Sequence, residues 1–195
     1  MSVNDPIARF LELQQRAERN GEAQRATAMT LATTTPDGRP SARMVLLKSA
    51  DERGFVFYTN FGSRKAAELD ATRRAALVFY WPTLDKQIRV EGTVTRVSAA
   101  EADAYFATRP RQSQLGAWAS RQSDRLKGRR ELVVRYLTEK ARHLGHDIPR
   151  PEFWGGYLLD PARIEFWEAR LGRLHDRTLF TRADDGGWQR QMLYP

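Results

Sequence analysis

Residues 28–59, AMTLATTTPDGRPSARMVLLKSADERGFVFYT, decide the fold of this chain. Three runs in the stretch, at residues 28–35, 41–48 and 55–59, are rich in β-branched, aromatic or other apolar residues, which favour β-strands. The connections, PDGRP at 36–40 and DERG at 51–54, contain turn residues, because Pro fixes φ and Gly supplies a positive φ. Parallel pairing needs long crossovers, so strands joined by such short turns are predicted to form an antiparallel meander.

Further strand and helix patterns surround this meander. Strands are predicted at residues 75–81, 86–97, 155–159, 162–167, 178–182 and 188–193, the last two as a hairpin. Helices are predicted at residues 6–21, 63–72, 99–108, 111–124 and 128–144, with Asp5 capping the first and with Leu132, Val133, Tyr136 and Leu137 of the last facing inward. The sequence therefore predicts a mainly β fold with peripheral helices, closed as an antiparallel barrel because closure removes exposed strand edges. We expect an N-terminal helical segment at residues 1–25 and a single barrel domain at residues 26–195.

The composition limits the kinds of protein that this chain can be. With 195 residues, of which 41% are hydrophobic, it has enough apolar side chains for a packed core. It contains no Cys, which excludes disulfides and thiolate catalysis and is typical of cytoplasmic proteins. No apolar run reaches the roughly 18 residues of a membrane span, and the first residues carry no secretory signal. We therefore expect a cytoplasmic protein with no membrane association.

The charge of the chain points to anionic ligands. The formal net charge is +8, and such a surface attracts polyanions or phosphorylated small molecules. The Arg residues are scattered and form no long basic run, which favours separate phosphate pockets over a nucleic-acid surface. Arg64 and Lys65 open a predicted helix, where free backbone N–H groups suit a phosphate, although a solvated first turn is the alternative.

A second basic stretch, WEARLGRLHDR, lies at residues 167–177. If its end is extended, Arg173, His175 and Arg177 share one face, and Leu174 and Asp176 take the other. A core does not accept three such groups without an anionic partner, so they face either a ligand or, on an edge strand, the solvent. Spacing alone leaves both interpretations open.

Other kinds of chemistry find little support in the sequence. There is no carboxylate pair in an apolar setting, no Gly-rich nucleotide signature and no nucleophilic triad. His143 and His146 are three residues apart at a helix end, where a solvated pair is a simpler interpretation than a metal site. No metal is therefore predicted. What remains is a set of cationic and hydrogen-bonding side chains suited to a phosphorylated, planar ligand.

A series of motifs resembles the pyridoxamine 5′-phosphate oxidase family, in the order that the family has them. They are RMVLLK at residues 43–48, FYTN at 57–60, GSRK at 62–65, YF at 105–106, RPR at 109–111, SQ at 113–114, GAW at 116–118, QS at 122–123, FWGG at 153–156 and RLHDR at 173–177. The chain departs from the family at residues 169–171, where Ala-Arg-Leu stands in place of a Gly-Gly pair. We expect this loop to shape the substrate pocket differently.

The resemblance implies a fold and an activity. The fold is an FMN-binding split β-barrel, present as a homodimer with two FMN sites at the subunit interface. The activity is oxidation of pyridoxamine or pyridoxine 5′-phosphate to pyridoxal 5′-phosphate in vitamin B6 biosynthesis, with hydride passing from C4′ to flavin N5 and O₂ reduced to H₂O₂. The implied partners are a second copy of the chain and these small molecules, without nucleic acid or membrane.

The resemblance also implies roles for individual residues. The implied cofactor-binding residues are Arg43, Met44, Val45, Leu46, Leu47, Lys48, Tyr58, Thr59, Arg64, Lys65, Gln87, Gln122, Ser123, Trp167 and Arg177. The implied substrate-binding residues are Lys48, Tyr105, Arg109, Ser113, Arg173, Leu174 and His175. Arg173 and His175 are the implied catalytic residues, placed over the substrate ring. Arg43 and Lys48 are five apart, so they reach one ligand only through a bulge, a strand end or a dimer interface.

Two alternatives to this activity stay open. A related flavin oxidase on the same barrel, such as a phenazine-biosynthesis oxidase, shares the FMN residues. Lys48, Tyr105, Arg109 and Ser113 then decide in favour of the B6 substrate. The second alternative is a non-catalytic protein that binds flavin, B6 phosphate or nucleic acid, which the pI of about 10.2 supports.

Overall fold

The computed structural model describes residues 5–22 and 25–195, and in these residues nine strands form one antiparallel sheet. The strands are β1 (Ala28–Thr34), β2 (Pro40–Leu46), β3 (Ser49–Asp51), β4 (Gly54–Asn60), β5 (Arg74–Trp81), β6 (Lys86–Arg96), β7 (Trp154–Glu168), β8 (Asp176–Arg182) and β9 (Trp188–Leu193). The helices are α1 (Pro6–Ala17), α2 (Arg64–Thr72), α3 (Ala99–Thr108), α4 (Arg111–Ala119) and α5 (Arg129–Arg142). A π-helical turn (Glu18–Glu22) continues α1, and 3₁₀ turns lie at Pro82–Leu84 and Leu171–Arg173. The prediction of a mainly β fold with peripheral helices is confirmed.

The order of the strands shows how the sheet curls. It runs β2-β1-β5-β6-β7-β4-β3, and β8 and β9 extend from β7. The predicted meander is wrong after its first hairpin, because β4 pairs with β7 and not with β2. A short turn can join neighbouring strands of a flat sheet, but it can equally join the first and last strands of a sheet that curls round on itself. Here the chain leaves β2 at Leu46 and at once reaches the other end of the sheet, where the N–H of Lys48 donates to the carbonyl of Val56 at 2.8 Å.

Aromatic residues fill the interior of this half-barrel. Phe10 of α1 lies against Phe55 and Phe79, with ring centroids 5.0 and 4.8 Å away, and Trp81 is fully buried beside them. The carboxylate of Asp5 caps the first turn of α1, as predicted. The helix is thus packed against the barrel core. The division at residue 25 stays a prediction, and residues 1–4 and 23–24 lie outside the described residues.

Helix α5 departs from its prediction. Leu132, Val133 and Leu137 are predicted to face inward, yet they are 38, 45 and 53% exposed. The helix packs on α4 and not on the sheet. Its Arg135 side chain donates a hydrogen bond to the last carbonyl of α4 at 2.7 Å. Helical periodicity identified the helix correctly, but it does not reveal which element, if any, covers the apolar side. Of the predicted inward residues, Tyr136 packs against a small apolar cluster formed by α3, α4 and the start of β7.

Candidate active site

A cavity of about 710 Å³ lies between the end of β2, strand β4, helices α3 and α4 and the start of β7. Eight predicted cofactor-binding residues line it: Met44, Val45, Leu46, Lys48, Tyr58, Thr59, Lys65 and Gln122. The predicted substrate-binding residues Tyr105, Arg109 and Ser113 line it as well. Lys65 belongs to α2, so the fold gathers residues from six elements, far apart in the sequence, around one space.

One wall of the cavity is a stack of aromatic rings. Tyr58 on β4 lies against both Tyr105 on α3 and Trp154 on β7, with ring centroids 4.1 and 5.3 Å away, and the centroids of Tyr105 and Trp154 are 6.2 Å apart. Burial, reinforced by the nearby charge of Glu101, raises the pKa of Tyr58 to about 12. The phenol therefore stays neutral, and the stack offers flat apolar surface to a planar ligand.

The cation Arg109 lies beside this wall. The guanidinium of Arg109 is 4.5 Å from the ring centroid of Trp154. Its NH1 group is buried and, within the part of the chain that the structure describes, has no hydrogen-bond partner. Burial lowers the pKa of Arg109. An unpaired buried donor is costly, so this group is arranged for an anion that the protein itself does not supply.

The start of α2 forms a cationic corner of the same cavity. The ammonium of Lys65 donates to Gln122 at 2.9 Å and to Thr59 at 3.3 Å. The N–H of Arg64 donates to the hydroxyl of Ser123 at 3.2 Å, and Ser63 begins the helix without a side-chain cap. Burial, with the charge of Arg43 next in size, lowers the pKa of Lys65. Free N–H groups, a helix N-terminus and an ammonium together suit a phosphate.

A buried carboxylate holds the arginines behind this corner. Glu68 accepts hydrogen bonds from Thr33 (2.5 Å), Ser41 (2.7 Å), Arg64 (2.8 Å) and Arg43 (3.2 Å). Burial on its own raises the pKa of Glu68, but the four hydrogen bonds outweigh it and lower the pKa to about 2. The carboxylate is therefore ionised, and it fixes the positions of both guanidinium groups.

A second set of predicted residues lies on strands β6, β7 and β8 and the loop before β8, and we call it the β6–β8 cluster. Its members are Gln87, Trp167, Arg173, His175 and Arg177. Gln87 faces Trp167 across the β6–β7 pairing, and Trp167 faces Arg177 across the β7–β8 pairing. The ring of His175 lies 4.6 Å from that of Trp167. Arg177 donates to the buried carboxylate of Glu165 at 2.8 Å, which raises the pKa of Arg177.

The extended conformation considered for residues 173–177 is present only in Asp176 and Arg177. Arg173 ends the 3₁₀ turn Leu171–Arg173 with φ at 63°, and β8 begins only at Asp176. Arg173, His175 and Arg177 therefore do not alternate along one strand. The two positive φ angles at Gly172 and Arg173 turn the chain before the strand starts. Leu174 is 73% exposed and packs on no core.

The cavity and the β6–β8 cluster are separate within one protomer. Of the described residues, those that line the cavity include no member of the cluster. Strand β7 carries Trp154 at the cavity and Trp167 in the cluster, thirteen residues further on. At about 3.3 Å per residue, this is roughly 40 Å along the strand. Arg43 and Leu47 also lie outside the lining, the first bound to Glu68 and the second in the barrel core. The roles assigned to all these residues stay predictions.

Sequence reasoning missed three residues that shape the site. Trp154 ends the aromatic stack, Asn60 lines the cavity and Glu68 binds the arginines. Trp154 lies in the motif FWGG and follows a Pro-rich connector, so a strand start was foreseeable. Glu68 gave no signal, because a Glu four residues after Arg64 on a helix reads as an ordinary surface pair.

Comparisons with known proteins give the class of this chain and then its family. Residues 16–142 match the family described as pyridoxamine 5′-phosphate oxidase, and residues 154–195 match the pyridoxine 5′-phosphate oxidase C-terminal dimerisation region. With its half-barrel fold and these two matches, the chain is an oxidoreductase. It belongs to the pyridoxamine 5′-phosphate oxidase family. The predictions of family, fold class and enzyme class are confirmed, and the matched dimerisation region supports a homodimer.

Individual relatives agree with this assignment. Proteins from Rubrobacter xylanophilus and Anaeromyxobacter dehalogenans, both named pyridoxine/pyridoxamine 5′-phosphate oxidase, are 57 and 56% identical over 98% of this chain and cover 87 and 96% of their own lengths. The crystal structure of PhzG from Burkholderia lata 383, in complex with tetrahydrophenazine-1-carboxylic acid, has a TM-score of 0.91 at 33% identity and covers 100% of this chain and 94% of its own. An FMN binding protein from Nostoc punctiforme, related to pyridoxamine 5′-phosphate oxidase, shares the fold, with a TM-score of 0.76 at 21% identity over 94% of this chain and 96% of its own.

Two other features are absent from the described residues. None of their helices is both long enough and apolar enough to cross a membrane. They contain no group of three or more His, Cys, Asp or Glu side chains that could hold a metal ion.

Proposed function

We propose that this chain is an FMN-dependent oxidase that converts pyridoxine or pyridoxamine 5′-phosphate to pyridoxal 5′-phosphate, with O₂ as the acceptor. The family and the names of relatives at 51–57% identity support this reaction. The observation that carries the proposal is the buried NH1 group of Arg109, which has no partner among the described residues. Lys48, Tyr105 and Ser113 line the same cavity, so two cations and two hydroxyls are available to one substrate phosphate.

Family membership supports a flavin cofactor, and we assign FMN because the chain offers a second phosphate site. This site is the corner at the start of α2, where the ammonium of Lys65 contacts Thr59 and Gln122 and Ser63 does not cap the helix with its side chain. The residues fit a phosphate monoester, and the arginines held by Glu68 add positive charge behind it. When bound, FMN supplies the hydride acceptor and returns the electrons to O₂.

The β6–β8 cluster completes the site of the other protomer in this proposal. One small ligand cannot contact both ends of β7 in the same protomer, and the matched dimerisation region, residues 154–195, contains most of the cluster. Gln87, Trp167 and Arg177 are assigned to FMN, and Arg173, Leu174 and His175 to the substrate. Arg173 and His175 then hold the substrate ring in place over the flavin, where positioning matters more than a strong base.

The similarity to PhzG is the one observation in favour of a phenazine-type substrate, but two others favour the B6 phosphates. Its identity to this chain is 33%, compared with 51–57% for the relatives named as B6 oxidases. The two cations Lys48 and Arg109, which line the same cavity, also suit a substrate that carries a phosphate. The B6 phosphates are therefore the substrates that the site supports best.

The test is a visible spectrum of the purified protein, recorded before and after anaerobic addition of pyridoxine 5′-phosphate and then after admission of air. We expect a flavin band that bleaches with substrate and recovers with O₂. A flavin band that does not bleach when the B6 phosphates are added would refute the substrate assignment. A protein that stays colourless after addition of FMN would refute the cofactor.

A further inference from the structure

The loop at residues 169–175 carries both proposed catalytic residues but has little packing to hold it. Leu171 and Leu174 are 96 and 73% exposed. Gly172 and Arg173 both have a positive φ, at 66 and 63°, a conformation that L side chains such as that of Arg173 rarely adopt. A loop of this kind keeps one shape only where specific contacts fix it.

The side chain of Arg170 provides such contacts. Its Nε donates to the Asp176 carboxylate at 2.6 Å, and its NH2 group is 3.2 Å from the Glu168 carboxylate. Glu168 and Asp176 face each other across the β7–β8 pairing, and Lys86 of β6 forms an ion pair with Glu168. Four charges of alternating sign therefore join both ends of the loop to three adjacent strands.

The backbone of Arg170 acts on His175 directly. Its N–H donates to Nδ1 of His175 at 3.2 Å. A ring nitrogen that accepts a hydrogen bond carries no hydrogen, so the neutral ring has its hydrogen on Nε2. The ring also lies against Trp167, with centroids 4.6 Å apart. His175 thus presents one defined donor, Nε2–H, away from the loop.

We propose that Arg170 is a positioning residue, which fixes the loop of Arg173 and selects the Nε2–H tautomer of His175. The inference rests on the proposed function, in which both residues contact the substrate. Arg170 contacts neither substrate nor cofactor in this scheme and acts only through the residues that it holds.

The first test needs no activity. The chain has 3 His, so ¹⁵N spectra of histidine-labelled protein are simple, and His175→Asn identifies the signal of interest. We expect the wild-type holoenzyme to show His175 as a single Nε2–H tautomer. Arg170→Ala keeps the backbone N–H but removes the side-chain contacts that hold it against Nδ1, so we expect this variant to show a mixture of both tautomers. A single Nε2–H tautomer that persists in Arg170→Ala would overturn the proposal.

The second test is kinetic. In Arg170→Ala we expect kcat for pyridoxine 5′-phosphate to fall about 10-fold, while KM, the FMN dissociation constant and the melting temperature stay near their wild-type values. The matched control is Arg39→Ala, because Arg39 is an 80% exposed arginine paired with a turn aspartate in the β1–β2 turn. The fall in kcat should largely disappear when Arg170→Ala is made in an Asp176→Asn background, since the contact is then already lost.

The outcomes separate the two proposals. A kcat of Arg170→Ala within about twofold of wild type, or an undiminished effect in the Asp176→Asn background, would overturn the role of Arg170. A wild-type protein that binds flavin but does not oxidise the B6 phosphates would refute the proposed function instead, and the tautomer measurement would still decide on Arg170.

Discussion

The carboxylate of Glu68 accepts a hydrogen bond from the guanidinium of Arg43 at 3.2 Å, although only 4% of the Glu68 side chain is exposed. The same carboxylate binds Arg64 at 2.8 Å. One buried negative charge therefore joins α2 to β2 and holds two arginines at the back of the proposed FMN phosphate site. Without this carboxylate, the positive charges of Arg43 and Arg64 would repel each other. Glu68 therefore makes the cationic corner compatible with a stable fold.

Stability should fall in acid because of Glu68. Its pKa is lowered from 4.5 to about 2, so the unfolded chain takes up the proton more readily than the folded one. The stabilisation is complete above about pH 4.5 and is lost as the pH falls toward 2. We expect Glu68→Gln to lower the free energy of unfolding at pH 7 by about 3 kcal/mol and to flatten its pH dependence in that window.

Urea unfolding at several pH values measures both effects. Glu52→Gln, a change at an exposed carboxyl group in the β3–β4 turn, is the matched control and should behave like wild type. A Glu68→Gln protein with the same acid profile as wild type would contradict the role given to this carboxylate.

Arg109 should determine the affinity for the substrate phosphate. Arg109→Lys keeps the charge but loses the planar fork that binds two phosphate oxygens. We expect KM for pyridoxine 5′-phosphate to rise by about 10- to 100-fold, with FMN binding unchanged, because truncating one partner of a desolvated charge pair costs a few kcal/mol. Steady-state kinetics measures this rise, and Arg74→Lys, a change at an exposed arginine on β5, is the control. An unchanged KM would remove Arg109 from the phosphate site.

Arg173 should be needed for turnover and not for cofactor binding. Arg173→Ala removes a guanidinium that is proposed to hold the substrate ring, and loss of positioning lowers kcat by about 100-fold. The ratio of flavin to protein absorbance should match that of wild type. Arg182→Ala, on the neighbouring strand β8, is the control, since Arg182 stacks on Trp188 away from the cluster. Wild-type turnover in Arg173→Ala would refute the assigned role.

Gly156 should be required for the aromatic stack. A Cβ at this position would lie 2.8 Å from a ring carbon of Tyr58 and 2.9 Å from a methyl group of Val97. Tyr58 packs against the rings of Tyr105 and Trp154, so a shift of Tyr58 would disturb these contacts, and Gly156→Ala should cost about 1–3 kcal/mol of stability and weaken FMN binding. Thermal unfolding and flavin titration test this. Gly128→Ala, where a Cβ meets nothing within 4 Å, should change neither quantity.

Features set by local chemistry could be predicted from the sequence. The β1–β2 hairpin follows from its Pro-Asp-Gly turn, and α1 follows from Asp5 and the apolar spacing after it. The cavity residues were found because their motifs resemble a known family, not because spacing revealed them. Their convergence in the structure gives that resemblance a physical basis.

Features set by tertiary contacts could not be predicted. No local signal shows that the chain crosses from β2 to the far end of the sheet at Lys48, so the third strand was wrongly predicted to pair with the second. The alternation of Arg173, His175 and Arg177 is compatible with a strand, but the positive φ angles at Gly172 and Arg173 turn the chain, and alternation does not reveal them. The exposure of Leu137 depends on which helix α5 packs against, and periodicity does not contain that information.

Strand β7 extends from Trp154 in one proposed half-site to Trp167 in the other, and this has a genetic consequence. In the proposed dimer, each site combines the cavity of one protomer with the β6–β8 cluster of the other. Arg109→Ala damages the site at the cavity of its own protomer, and Arg173→Ala damages the site at the cavity of the partner protomer. When the two inactive chains are co-expressed, a mixed dimer holds one site with both lesions and one site with neither. Two null alleles of this gene should therefore complement each other, restoring about a quarter of wild-type activity when subunits mix at random.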